Sequence, residues 1–254
     1  TKEPLTNPVL VFYAIYEFID ASYYDWLVKL GRRYGWQPDK RMYHADDIAV
    51  GQVFIDLYNK YKDKNMLYPT QARAEWVVNH PSDGPMDLDY KKRETLERWT
   101  WCDALYMAPP VYVKLYMLTG DKRFIKFMNK EYKATYDLLF DKDEHLFYRD
   151  SRYLTQKEAN GAKVFWGRGN GWVLGGLAEM LQDFPKNDKN RKFYENLFIT
   201  LSVRVAELQS ADGFWHASML DPASYPSPET SATGFIVYAL AYGVNEGLLD
   251  KDTY

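Results

Sequence analysis

Residues 164–172 read Val-Phe-Trp-Gly-Arg-Gly-Asn-Gly-Trp and place one guanidinium, one amide and two indoles among three glycines. Indole faces stack on sugar rings, and the planar fork of donors on Arg168 suits a carboxylate. The glycines let a ligand approach the backbone closely. These residue types at this spacing indicate a site for an acidic sugar, with Trp166 and Trp172 as stacking surfaces.

Two other interpretations of this run compete with the sugar site. A dinucleotide-binding loop with G-x-G-x-x-G spacing needs a small third residue at the position of Trp172. The acidic residue about 20 positions further on, Asp188, falls in a polar loop rather than at a strand end. Tryptophan is usually largely buried, so core packing of Trp166 and Trp172 stays an alternative.

Asp103 stands in an otherwise apolar and aromatic segment, residues 99–110. A carboxyl group there either caps a helix or lies in an apolar site, where loss of hydration raises its pKa toward that of a general acid. Thr100 already offers a capping hydroxyl, which favours the second interpretation. The sequence therefore predicts Asp103 as a proton donor.

Asp46 and Asp47 follow His44 at the expected start of a helix. They could cap that helix and be stabilised by its dipole, or one of them could be a second functional carboxylate. A D-D-x-x-D magnesium motif fails because its last position is Val50. The four histidines show no H-x-x-x-H or H-E-x-x-H spacing, so no metal site is expected.

The composition of the chain argues against several kinds of binding partner and structural feature. The 254 residues carry a formal net charge of −3 without a basic stripe, which argues against nucleic acid. The single cysteine, Cys102, rules out an intramolecular disulfide, and no apolar run of about 18 residues predicts a membrane span. The first residues lack the charged and apolar regions of a signal peptide. We expect either the bacterial periplasm, after signal removal, or the cytoplasm.

Apolar periodicity predicts a mainly helical chain. Gly120 and Asp121 mark a boundary between two helices, and short extended or turn segments are expected at residues 144–149 and 213–216. Alternating apolar and amphipathic helices are typical of a toroid of helical hairpins. The candidate helices cover residues 9–34 with a break, 46–61, 70–78, 101–118, 122–139, 171–181, 189–209 and 230–242.

Five motifs resemble, in order and spacing, those of glycoside hydrolase family 105, the unsaturated rhamnogalacturonyl hydrolases, which are related to the unsaturated glucuronyl hydrolases of family 88. The resemblance spans most of the chain and implies an all-α (α/α)6 barrel that needs no cofactor. The motifs are YHADD at 43–47, WCDALYMAPP at 101–110, LTGD at 118–121, FWGRGNGW at 165–172 and SPETS at 227–231.

The same resemblance implies removal of the 4,5-unsaturated uronic acid that a polysaccharide lyase leaves at the non-reducing end of a small acidic oligosaccharide. A carboxylic acid protonates C4 of the enol ether and, as carboxylate, helps water add at C5; the hemiketal then opens. By motif, Asp103 matches the acid/base, and Asp47 rather than Asp46 matches the second essential carboxylate. The implied substrate-binding residues are Trp166, Arg168, Trp172, Asp46, His44, Met107, Arg149 and His216.

Two features depart from the family. Arg149 stands where some members have a histidine, which leaves the sugar after the uronate open. The candidate helices are fewer than six hairpins need, so we expect a single domain over residues 1–254 that lacks terminal helices. Two other functions stay open: an inverting glycosidase with its two acids about 6.5–9.5 Å apart, and a non-catalytic protein that binds acidic sugars.

Overall fold

The computed structural model describes residues 22–254, and this part of the chain is mainly helical. One antiparallel hairpin interrupts the helices, with β1 (Phe140–Asp141) paired to β2 (Leu146–Phe147). The α-helices of the described residues are α1 (Ser22–Arg33), α2 (Ala45–Ile48), α3 (Gly51–Tyr61), α4 (Tyr68–Asn79), α5 (Ala104–Met107), α6 (Pro109–Thr119), α7 (Lys122–Leu139), α8 (Gly167–Asp183), α9 (Arg191–Glu207) and α10 (Thr230–Asn245).

Two of the predicted helices are each divided in two. The segment 101–118 divides into α5 and α6 because Pro109 has no N–H to donate, which interrupts the hydrogen bonds of the helix there; the proline instead opens α6. The segment 46–61 divides into α2 and α3 at a tight turn, where the N–H of Gln52 bonds the carbonyl of Ala49, three residues back, at 3.1 Å. Residues 9–21 of the first predicted helix lie outside the described residues.

The boundary predicted at Gly120 and Asp121 is confirmed. Gly120 ends α6 in the left-handed region, with a φ of 71°, and its N–H donates to the carbonyl of Tyr116 at 2.8 Å. Asp121 then caps α7 by accepting the N–H of Arg123 at 2.9 Å. A left-handed glycine followed by an acidic N-cap is the expected chemistry of such a junction.

Helix α8 begins at Gly167, one turn before the predicted start at residue 171. The N–H of Asn170 already donates to the carbonyl of Trp166 at 3.0 Å. The glycines of this turn serve close packing: a Cβ at Gly167 would overlap the carbonyl oxygen of His216. Arg168 therefore belongs to the first turn of a helix.

Helix α8 is the inner helix around which the described residues pack. It contacts α5, α6, α9 and α10. At Gly176 an added Cβ would lie 2.6 Å from the carbonyl oxygen of Leu105, so the backbones of α8 and α5 nearly touch. The close packing of α8 against its neighbours agrees with the apolar inner helices expected of a helical toroid. Among residues 22–254, no helix combines the length and the apolar character needed to cross a bilayer.

Hydrogen bonds outside the helices fix the starts of α5 and α8 next to each other. Before α5, the N–H of Cys102 donates to the carbonyl of Arg149 at 2.8 Å. At α8, the N–H of Gly167 donates to the carbonyl of Ala217 at 2.8 Å. The buried amide of Asn170 accepts the N–H of Phe147 at 2.8 Å and donates back to its carbonyl at 3.1 Å, which ties β2 to α8.

Candidate active site

Asp103 lies at the start of α5 without capping it. Its side chain accepts no capping N–H from that helix, and Oδ1 instead accepts the thiol of Cys102 at 3.3 Å. Burial is the largest influence on the carboxyl and raises its pKa, while the charges of Arg149 and Arg168 act in the opposite direction. The group is thus a largely desolvated carboxyl under the influence of two cations, and its role as a proton donor stays a prediction.

Trp166 lies against both of these cations. The Cζ atoms of Arg168 and Arg149 are 4.6 and 5.6 Å from the centre of its ring. Cations at these distances are attracted by the π-electrons of an indole. Arg168 keeps 44% of its side chain exposed, so its donors can reach a ligand that lies on the indole.

Asp46 belongs to the same charged group. Burial, then the negative charge of Asp103, raise the pKa of Asp46 to about 6. Two carboxylates that repel each other hold a proton more tightly than either would alone. The Asp46–Asp103 pair therefore retains a proton at a pH where a solvated aspartate would be ionised.

Asp47 has different surroundings. Its side chain is 1% exposed, and its oxygens accept the backbone N–H of Arg41 at 2.7 Å and the side-chain Nε–H of Arg41 at 3.0 Å.

His44 caps α2: its Nδ1 accepts the N–H of Asp46 at 3.3 Å, and burial lowers the pKa of His44 to about 4. The His44 ring is neutral at ordinary pH and rests on the indole of Trp101, 4.7 Å away.

Trp172 and Met107, two further residues predicted to bind substrate, pack largely against the core. Trp172 stands one turn after Arg168 on α8, and its half-buried ring packs 4.0 Å from Phe235 and 4.6 Å from Tyr106 between centroids. Part of its surface thus belongs to the core, as the alternative interpretation of the tryptophans proposed. Met107, on α5, is buried with 6% exposed.

His216 is buried, and its contacts are with a neighbouring loop. Its Nδ1 lies 3.0 Å from the carbonyl of Tyr225 and 3.2 Å from that of Ser227. Its own carbonyl oxygen packs against Gly167. These contacts hold the start of α8 in place, while the substrate-binding role of His216 stays a prediction.

Sequence reasoning assigned no role to three residues that position the site. Glu229 caps α10 by accepting the N–H of Ala232 at 2.6 Å, and its Oε1 lies 3.6 Å from Nη1 of Arg168. Arg41 holds Asp47, and Asn170 ties β2 to α8. The signal for Glu229 was present in the SPETS motif, where an acid directly precedes a helix. The pairing of Arg41 with Asp47 depends on a turn that no spacing rule predicts.

Comparison with known proteins identifies several relatives of this chain. The profile of Glycosyl Hydrolase Family 88 matches residues 9–254. An unsaturated 3S-rhamnoglycuronyl hydrolase of Formosa agariphila is 41% identical over 86% of this chain and 60% of that protein. A protein of the same name from Alteromonas is 36% identical over 83% of this chain and 53% of that protein. A solved structure named as a polysaccharide lyase is 32% identical, with a TM-score of 0.84 over 92% of this chain and 68% of the other.

The chain thus spans between about half and two thirds of the length of these relatives. Solved structures from families 88 and 105 share the arrangement of its helices. The fold predicted from the sequence, an all-α (α/α)6 barrel, is therefore confirmed, as is the relation to these two families.

Proposed function

The chain belongs to glycosyl hydrolase family 88, and on that premise we propose that it removes a 4,5-unsaturated uronic acid from the non-reducing end of lyase-generated oligosaccharides. The observation that carries the proposal is Asp103, whose pKa is raised by burial, beside two guanidinium groups and a partly exposed indole. A protonated carboxyl can deliver a proton, and the cations can hold the uronate.

The proposed reaction is a hydration. Arg168 binds the uronate carboxylate while the sugar ring lies on Trp166, which places the C4=C5 bond beside Asp103. The Asp103 carboxyl transfers its proton to C4, and water attacks C5 while giving a proton back to the Asp103 carboxylate. The resulting hemiketal opens to a ketone, the bond to the next sugar breaks, and Asp103 ends the cycle protonated.

The contacts support Asp46, rather than the expected Asp47, as the second carboxylate. Asp46 is 36% exposed and is affected by the charge of Asp103. Asp47 is buried and engaged by Arg41. In this proposal the negative charge of Asp46 helps Asp103 to stay protonated, and Asp46 also orients the attacking water. Asp47 fixes the turn that carries Asp46.

The names of the relatives support a proposal for the substrate class. The Formosa and Alteromonas proteins are named unsaturated 3S-rhamnoglycuronyl hydrolases. We therefore propose rhamnose as the sugar after the uronate, in a small acidic oligosaccharide, and no nucleic acid or membrane as a partner. The periplasm or the cytoplasm of a bacterium remains the proposed location.

The test is the ultraviolet absorbance of the unsaturated uronate. The purified protein is mixed with unsaturated oligosaccharides made by a lyase, and the products are identified by mass spectrometry. We expect the absorbance to fall as a free keto-uronate forms. A rise with intact polysaccharide would indicate a lyase, the activity for which one similar structure is named. Release of saturated sugars would indicate an ordinary glycosidase, and binding without any product would indicate a sugar-binding protein.

A further inference from the structure

Two carbonyl groups of buried residues at the end of α5 have no main-chain donor. The N–H that would bond the carbonyl of Tyr106 in a continuous helix belongs to the residue four positions on, which is Pro110 and has none. The N–H of Val111, which would bond the carbonyl of Met107, donates instead to that of Ala108 at 3.0 Å. A buried carbonyl without a donor is costly, so another group has to satisfy both.

The side chain of Gln52 satisfies both carbonyls. Gln52 lies in the first turn of α3 and is 1% exposed. Its Nε2 donates to the carbonyl of Tyr106 at 3.0 Å and to that of Met107 at 3.0 Å. A side-chain amide nitrogen carries two hydrogens, so each carbonyl receives one. We call this connection between the start of α3 and the end of α5 the Gln52 bridge.

The Gln52 bridge belongs to a continuous hydrogen-bond path between two acids. On one side, the carbonyl of Asp103 accepts the N–H groups of the same two α5 residues, at 2.9 and 3.3 Å. On the other side, the N–H of Gln52 donates to the carbonyl of Ala49 at 3.1 Å. The N–H of Ala49 in turn donates to the carbonyl of Asp46 at 3.3 Å. The bridge therefore links the segment of Asp103 to the turn that carries Asp46.

We propose that Gln52 is a positioning residue that fixes the carboxyl groups of Asp46 and Asp103 at the distance over which they act on each other. This inference rests on the proposed function, in which Asp103 delivers the proton and Asp46 helps to keep it there. Repulsion between two carboxylates falls with distance. Without the bridge, α2 and α5 can separate and water can enter between them, and both changes let Asp46 release its proton more easily.

The other groups that face these acids are held independently of Gln52. Those that face Asp46 belong, like Asp46 itself, to residues 41–47 and move with it. Those that face Asp103 belong to its own segment, to the loop hydrogen-bonded to that segment, and to α8, which packs on α5 directly. These groups are Arg41, His44 and Asp47 on the first side and Cys102, Arg149 and Arg168 on the second. The separation of the two acids is therefore what Gln52 determines.

The experiment follows the titration of isotope-labelled aspartate carboxyl groups by NMR, in the whole chain and without substrate. The signal of Asp46 is assigned by its loss in Asp46→Asn, and its pKa in the parent protein should be about 6. Gln52→Met, with a side chain of similar length and no donor, should lower this pKa to about 5, nearer that of a solvated aspartate. In an Asp103→Asn background, which lacks the like charge, Gln52→Met should have a much smaller effect.

Arg191 provides the matched control, because it too is a buried side chain that donates to two main-chain carbonyls. Its Nη1 bonds the carbonyls of Leu181 and Phe184, at the opposite end of α8 from the site. Arg191→Met should therefore lower the temperature of unfolding, as Gln52→Met does, but leave the titration of Asp46 unchanged. This comparison separates a positioning role from a merely structural one.

An unchanged pKa of Asp46 in folded Gln52→Met would overturn the inference, as would an equal shift in Arg191→Met. If Gln52→Met does not fold, Gln52→Asn keeps the amide on a shorter side chain; a smaller fall in the same pKa would support the bridge, and no fall would refute it. Because the titration needs no substrate, a protein that converts no unsaturated uronide refutes the proposed function alone. Where turnover occurs, the alkaline limb of kcat/KM should move to lower pH in Gln52→Met, and a limb that stays in place would contradict the positioning role.

Discussion

Neighbouring carboxylates of this chain differ because of what surrounds them, not because of their spacing. Asp46 and Asp47 are adjacent, yet Asp46 responds to the charge of Asp103 while Asp47 is buried against Arg41. A buried acid with a firm cationic partner stabilises structure, whereas a partly exposed acid near a like charge can exchange a proton. This difference supports the proposed positioning role of Asp47 and the proposed chemical role of Asp46.

Asp46→Asn and Asp47→Asn should therefore have different effects. We expect Asp46→Asn to lower kcat by at least about a hundredfold with little change in the free energy of unfolding. Asp47→Asn weakens the bond to Arg41 and should lower the free energy of unfolding by about 1–3 kcal/mol. Urea denaturation and turnover of an unsaturated disaccharide measure both. If Asp47→Asn is inactive at full stability and Asp46→Asn is active, Asp47 is the second carboxylate.

The pH profile tests the interaction between Asp46 and Asp103. Because a general acid must be protonated, kcat/KM should fall as the pH rises past the raised pKa of the pair. Removal of the like charge in Asp46→Asn lets the remaining carboxyl lose its proton at a lower pH. The alkaline limb of the residual activity should move to lower pH. A limb that stays in place or moves upward would show that the two carboxyls are not coupled.

Two helix starts determine the geometry of the site. Asp103 precedes α5 and Arg168 lies in the first turn of α8, and glycines let these starts come together. At Gly169 an added Cβ would lie 2.7 Å from Cε3 of Trp166 and 2.9 Å from Sγ of Cys102. Cys102 is the donor to Asp103. The glycine is thus needed so that the indole can lie close to Asp103.

Gly169→Ala should move Trp166 and Cys102 and so reduce activity. Overpacking costs about 1–3 kcal/mol of stability, and a displacement of about 1 Å in the site can cost about a hundredfold in rate. The matched control is Gly234→Ala on α10, where an added Cβ meets no atom within 4 Å; a helical Gly→Ala change should stabilise by up to about 1 kcal/mol. Equal activity of both variants would contradict this role of Gly169.

The residues at which helices begin and end were harder to predict from the sequence than the presence of the helices. Periodicity predicted most helices, and capping chemistry predicted the junction at Gly120 and Asp121. Helix α8 starts one turn earlier than predicted, and its first glycines serve close packing against His216 and Trp166. Sequence spacing carries no information about such contacts between distant segments. For the same reason the ion pair of Arg168 with Glu229 was not foreseen.

At the scale of the whole molecule, the family and the barrel fold follow from five short motifs and are confirmed by the comparisons. The chain spans 60% of the Formosa relative and 53% of the Alteromonas relative. The expectation of a single domain that lacks terminal helices stays a prediction. Within the described residues, α2, which carries Asp46, packs on α5, which follows Asp103, and α5 packs on α8, which carries Arg168.

The most direct test of the proposed hydration is the reaction in D2O, followed by NMR at early times. If Asp103 delivers a solvent-derived proton to C4, the product of the parent protein should carry one deuterium at C4, on one face of the sugar. Asp103→Asn should fold normally and form this product about 10²–10⁴-fold more slowly. Release of the uronate with no deuterium at C4, or formation by Asp103→Asn within tenfold of the parent rate, would contradict the proposal that Asp103 protonates the enol ether.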